Sequence, residues 1–88
     1  MQSRKCMIVT GNNTATRFIL ESRFVDRVLS IINLTDNIVI GGDFYFIKKN
    51  PNGFTWLTFD HPLEKSKKYK INFSTIDNKI YNEAAISA

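Results

Sequence analysis

Four lysines, Lys65, Lys67, Lys68 and Lys70, crowd into residues 61–70, where Glu64 is the only acid. Four positive charges against one negative leave +3 of the chain's formal +4 in that segment. Clustered ammonium groups neutralise phosphates and release condensed counterions, which is the chemistry a nucleic-acid backbone demands. The same lysines would also serve as a solvated face or as guards of a sheet edge. Lys48 and Lys49 extend a phosphate-binding patch if the fold brings them to the same end of the molecule, which the sequence leaves open. Arg23 and Arg27, spaced one helical turn apart with Arg17 upstream, could grip a backbone or pair with Glu21 and Asp26. Tyr45, Trp56 and Tyr69 lie near the lysines in the chain. Aromatic rings exposed on a sheet stack unpaired bases, and buried ones fill a core.

Catalytic groups are sparse. His61 is the only histidine and Cys6 the only cysteine. Neither has neighbours at zinc-ligand spacing, so no metal or cofactor is expected. Cys6 reads as a small buried hydrophobe, although a Cys6–His61 pair or a small nuclease using Lys, Arg, Tyr and His61 remains a conceivable arrangement. Thr10-Gly11-Asn12-Asn13-Thr14 follows an apolar stretch, as phosphate-cradling loops do. It lacks the Lys-Ser/Thr of such loops and reads as a turn or cap with no ligand.

The elements that must position these groups follow from periodicity. Lys5 to Thr10 predicts a first strand bounded by Gly11-Asn12-Asn13. Thr14 to Glu21 fits either a return strand or the start of a helix. Phe24, Val28, Ile31 and Ile32, with Val25 and Leu29 beside them, follow i, i+4, i+7, i+8 spacing and predict an amphipathic helix capped by Ser22. Ile38–Ile40 and Phe44–Ile47 read as one strand interrupted at Gly41-Gly42. Asn50-Pro51-Asn52-Gly53 predicts a tight turn into a strand over Phe54–Phe59. Tyr69, Ile71 and Phe73 alternate with Lys70, Asn72 and Ser74, the mark of a half-buried strand. A last short strand is expected at Lys79–Tyr81. The predicted class is α+β, a small antiparallel sheet of four or five strands with one amphipathic helix packed on a face.

With 88 residues, 43% of them hydrophobic and 23% charged, the chain suits a single folded domain over residues 1–88. It has no apolar run long enough to cross a membrane and no basic start leading into an apolar segment, which points to the cytoplasm. The Asn-x-Ser/Thr matches at Asn12, Asn33 and Asn72 are what an Asn-rich chain produces by chance. Heavy use of Ile, Asn, Lys, Phe and Tyr matches AT-rich codons, as in small genes of bacteria and their phages. The function expected is a small basic nucleic-acid-binding accessory protein, RNA favoured over DNA, acting without catalysis. Its candidate contacts are Lys48, Lys49, Lys65, Lys67, Lys68, Lys70, Arg23, Arg27 and Tyr69. The alternative is a small protein-binding inhibitor or adaptor, such as a phage-encoded host-takeover or antitoxin-like counter-defence factor. A strand edge or the apolar tail Ala84–Ala88 could also create a homodimer, and the sequence leaves monomer or dimer open.

Overall fold

Alternating apolar residues dominate the observed architecture. The structure, a computed structural model, describes residues Ser3–Asp77. Seven strands run β1 (Ser3–Thr10), β2 (Arg17–Ile19), β3 (Val25–Asn33), β4 (Ile38–Ile40), β5 (Tyr45–Lys49), β6 (Thr55–Phe59) and β7 (Lys68–Thr75). They form a four-stranded sheet in the order β1-β7-β3-β4 and a three-stranded sheet in the order β2-β6-β5. Every neighbouring pair is antiparallel. Tyr69, Ile71 and Phe73 of β7 face inward with Met7, Val25 and Ile31. Leu57 and Phe59 of β6 meet them, and Leu20 and Leu63 close the ends. Each such fully buried side chain contributes about 1.5–3 kcal/mol of transfer free energy. Phe18 and Phe59 pack edge to face with ring centroids 5.9 Å apart, and the tilted ring of Tyr45 lies 6.1 Å from that of Phe59.

The protein is therefore mostly β, and the expected α+β class is wrong. Among the described residues the only helical turn is a 3₁₀ segment at Gly42–Phe44. The segment read as an amphipathic helix is β3. Its ladder with β7 contains irregularities between Val25 and Arg27 and between Val28 and Ser30. Each inserts an extra residue and shifts the alternation of faces by one. The core-facing positions thus become Val25, Val28 and Ile31, a spacing of three that imitates helical periodicity. The β-branched residues in this segment favour the strand. Ser22 accordingly caps nothing, and Arg23 and Arg27 do not share a helix face.

Of the stretch at 14–21 only Arg17–Ile19 is strand, and as β2 it pairs with β6 in the other sheet and is not a return strand along β1; Gly41-Gly42 is more than a bulge. It is where the chain leaves the four-stranded sheet after β4 and enters the three-stranded one at β5. The Asn50–Gly53 turn joins β5 to β6 as expected. Gly53 N donates to Asn50 O at 3.0 Å, and Gly53 has a φ of 93°. Gly11 serves a different purpose. A Cβ there would lie 2.1 Å from Glu64 O and 2.7 Å from Leu63 C, because the Gly11 backbone is pressed against the β6–β7 connection. Gly11 N donates to Lys67 O, Asn13 N to Leu63 O and Ser66 N to Gly11 O. The loop that resembled a phosphate cradle is thus a clamp between two connections. The strand expected at Lys79–Tyr81 and the tail at Ala84–Ala88 lie outside the described residues.

Candidate nucleic-acid interface

Strand parity sends the even-numbered residues of β1 and β7 to the outside of the four-stranded sheet, and β3 and β4 complete the face. The ladder registers align Arg4, Ser74 and Arg27 in one cross-strand row and Cys6, Asn72 and Ser30 in the next. Ile8, Lys70, Ile32 and Val39 form a third row, and Thr10 and Lys68 a fourth. Residues two apart on a strand are about 7 Å apart. Lys68, Lys70 and the two arginines thus spread along the length of the sheet. None has an ion-pair partner among the described residues. No Asp or Glu occupies an outward position on these four strands. The one acid within them, Asp26, stands at the first irregularity of β3 and is engaged by Lys49 of β5 at 3.8 Å. Ser74 Oγ, between Arg4 and Arg27, is buried and has no hydrogen-bond partner. Asn72 Nδ2 donates to Ser30 Oγ at 3.0 Å.

The lysine cluster of the sequence is divided by the fold. Lys68 and Lys70 join Arg27 on this face, together with Arg4, which sequence reasoning passed over because it lies far along the chain from the lysine cluster. Lys67 is taken up locally. Its ammonium donates to Asp36 of the β3–β4 turn and to Glu64 at 2.7 Å. Hydrogen bonds to these two carboxylates hold the Lys67 ammonium in its charged form and raise its pKa. The Lys67 hydrogen bond is the main cause of the lowered Asp36 pKa, opposed by partial burial and assisted by Asn33. Asn33 and Asp36 exchange two further bonds that build the turn. Lys65 is exposed in the β6–β7 connection, its backbone N–H bonded to Asn13 Oδ1. Lys49 is committed to Asp26. Arg23 donates to Asn52 O at 2.8 Å and lies over the rings of Phe24 and Phe54, bracing the β5–β6 turn. Tyr69 is 4% exposed in the core and stacks on nothing outside.

Lys48 belongs to the other sheet. On the outside of the three-stranded sheet the registers align Ile19, Trp56 and Lys48 in one row and Arg17, Thr58 and Phe46 in the next. Arg17 lies over the Trp56 ring at 5.0 Å. A shallow depression of about 340 Å³ is lined by Arg17, Phe46, Lys48, Asn50, Trp56 and Thr58. Of the aromatics singled out by sequence, only Trp56 faces outward. Phe46, which sequence reasoning missed, is 58% exposed beside it.

Cys6 is exposed on the outer face of the four-stranded sheet rather than buried, because its even position on β1 points away from the core. His61 lines a separate groove with Ile38, Val39, Phe44 and Pro62. Among the described residues no three His, Cys, Asp or Glu side chains gather as metal ligands, and no helix is long and apolar enough to cross a membrane. Comparison with known proteins finds no matching family model, no matching curated protein and no matching solved structure.

Proposed function

We propose that this protein binds the phosphate backbone of nucleic acid, without catalysis, through the outer face of its four-stranded sheet. The carrying observation is that Arg4, Arg27, Lys68 and Lys70 share that face while no carboxylate points outward from it. A face of one sign attracts a polyanion and repels a second copy of itself, so an isologous dimer through this surface is disfavoured. RNA is the preferred ligand in this reading. Ser30, Asn72 and Thr10 supply hydroxyl and amide groups between the cations, and such groups can meet a 2′-hydroxyl. The setting is the cytoplasm, where an exposed thiol such as Cys6 stays reduced.

Fluorescence anisotropy with labelled single-stranded RNA, single-stranded DNA and duplex DNA over a salt series tests this proposal. Binding that weakens steeply with salt, favours RNA and is weakened on replacing Arg27, Lys68 and Lys70 by Glu supports it. Absence of binding at low salt would overturn it.

A second reading, a protein-binding inhibitor or adaptor, is favoured by one feature. The edge strand β4 leaves Ile38 and Val39 55% and 68% exposed beside the His61 groove, which suits strand addition by a partner or a second copy. Sedimentation at high concentration separates the homodimer from the monomer. Replacing Val39 by Lys should abolish association if the edge is used.

A further inference from the structure

Two aromatic rings stand outside the core of a small β protein, on a sheet face that presents cations and no acids. Residues of β2, β5 and β6 alternate strictly, so Phe18, Leu57 and Ile47 point inward while Arg17, Thr58 and Phe46 point out. Phe46 remains 58% exposed although burial of its ring would be favourable. Trp56, diagonal to Phe46 across the β5–β6 ladder, is half-buried, and Arg17 lies over its ring 5.0 Å away. Residues in this diagonal relation lie within reach of each other when their side chains are aromatic. Lys48 stands directly opposite Trp56 and Arg17 directly opposite Thr58. Neither cation has an ion-pair partner among the described residues.

We infer that this face is a stacking platform for unpaired nucleobases, with Phe46 and Trp56 carrying the bases and Arg17 and Lys48 the flanking phosphates. Every base offers a π face, and stacking on aromatic side chains or on an arginine plane is tolerant of sequence. An arginine stacked on an indole keeps its outer N–H groups for phosphate oxygens. The partner must be single-stranded, because the bases of a duplex are stacked on each other and cannot lie flat on a sheet. A purely apolar protein partner would cover Phe46 but leave Arg17 and Lys48 without counter-charges. This site lies on the opposite sheet from the phosphate-binding face proposed above and does not depend on it.

Trp56 is the chain's only tryptophan, so its emission reports this site alone. Titration with an oligo-uridine or oligo-thymidine of about 12 nucleotides, within the range that small single-strand-binding folds occupy, should quench that emission saturably. A duplex of the same length should not. Phe46→Ala should weaken single-strand binding about tenfold, as loss of one stacked base predicts, and Phe46→Tyr should restore it. Replacing Lys68 and Lys70 by Glu should lower affinity yet leave the quench at saturation unchanged. If anisotropy shows the oligonucleotide bound while Trp56 emission stays constant, or if Phe46→Ala binds like the wild type, the platform is overturned and the phosphate-binding face survives. If duplex quenches as strongly as single strand, the requirement for unpaired bases is overturned.

Discussion

Replacing Lys68 and Lys70 together by Ala separates the folded face from a simple lysine count. Binding of a single strand loses about 0.7 power of salt for each phosphate neutralised. If Arg4, Arg27, Lys68 and Lys70 each meet one phosphate, the log–log slope of affinity against salt is about −2.8. Raising salt from about 50 to 200 mM then weakens binding about 50-fold. With both lysines gone the slope should fall to about −1.4, and the same rise in salt should cost only about 7-fold. Lys67→Ala is the decisive comparison. In the chain it is indistinguishable from Lys68, but in the fold its ammonium is shared between Asp36 and Glu64. Removing it should leave the slope of the wild type. Anisotropy at several salt concentrations, with each variant first checked by circular dichroism, gives these slopes directly. A Lys67→Ala slope reduced as much as that of Lys68→Ala would show that sequence clustering, and not the face, governs binding. An unchanged slope in the double variant would refute the face altogether.

Gly11→Ala should destabilise the fold by about 3 kcal/mol, because the added Cβ meets backbone atoms that cannot turn away; urea unfolding with a loss under about 1 kcal/mol would contradict the clamp. Ser74→Ala removes a buried hydroxyl that has no partner, so stability should stay the same or rise. A clear loss on thermal melting would show that the hydroxyl is bonded. The Asp36–Lys67 pair makes stability depend on pH in a defined sense. The folded-state pKa of Asp36 is lowered, so its contribution is fully present above its ordinary value of 3.8 and is lost as pH falls through the folded value. The pKa of Lys67 is raised, so its contribution is fully present below 10.5 and is lost as pH rises through the folded value. Asp36→Asn should lower stability at neutral pH and flatten the acid limb of a urea-midpoint profile. An acid limb unchanged from the wild type would assign acid unfolding to other groups.

Much of the strand content is legible in the chain. Tyr69, Ile71 and Phe73 alternate cleanly because β7 is central to its sheet and buries one side along its whole length. Asn50-Pro51-Asn52-Gly53 is equally direct, since its hairpin is closed by backbone bonds between residues a few positions apart. The segment from Phe24 to Ile32 misleads for a specific reason. Periodicity reads faces by counting residues, and two ladder irregularities change the count without leaving any mark in composition. Gly41-Gly42 misleads differently. Apolar strands on both sides suggest one interrupted strand, and only tertiary pairing reveals that they belong to separate sheets.

The candidate site is less legible because charge density in the chain is not charge density on a surface. In a strand, neighbours in sequence face opposite sides, whereas residues far apart meet across the ladder. Lys68 and Lys70 therefore gain Arg4 and Arg27 as companions and lose Lys67, which leaves the strand at its start and turns to Asp36 from the β3–β4 connection. The same parity buries Tyr69 between the outward-facing Lys68 and Lys70 and turns Phe46 outward between Tyr45 and Ile47, reversing the roles their positions in the chain suggest. Alternation alone would have sorted Tyr69 from Lys68 and Lys70, because it was already visible there. Pairing Arg4 with Arg27 through Ser74 required the order of strands, and that order is fixed by a core whose members come from every part of the described chain. An interface built on such rows is sensitive to register. A one-residue slip of β1 against β7 would carry Arg4 off the outer face and put Lys5 in its place, a swap that the buried Met7 opposes. The residues that hold the core in register therefore also hold the cations on one face, so a core variant that loosens β1 should weaken phosphate binding without touching a single charge.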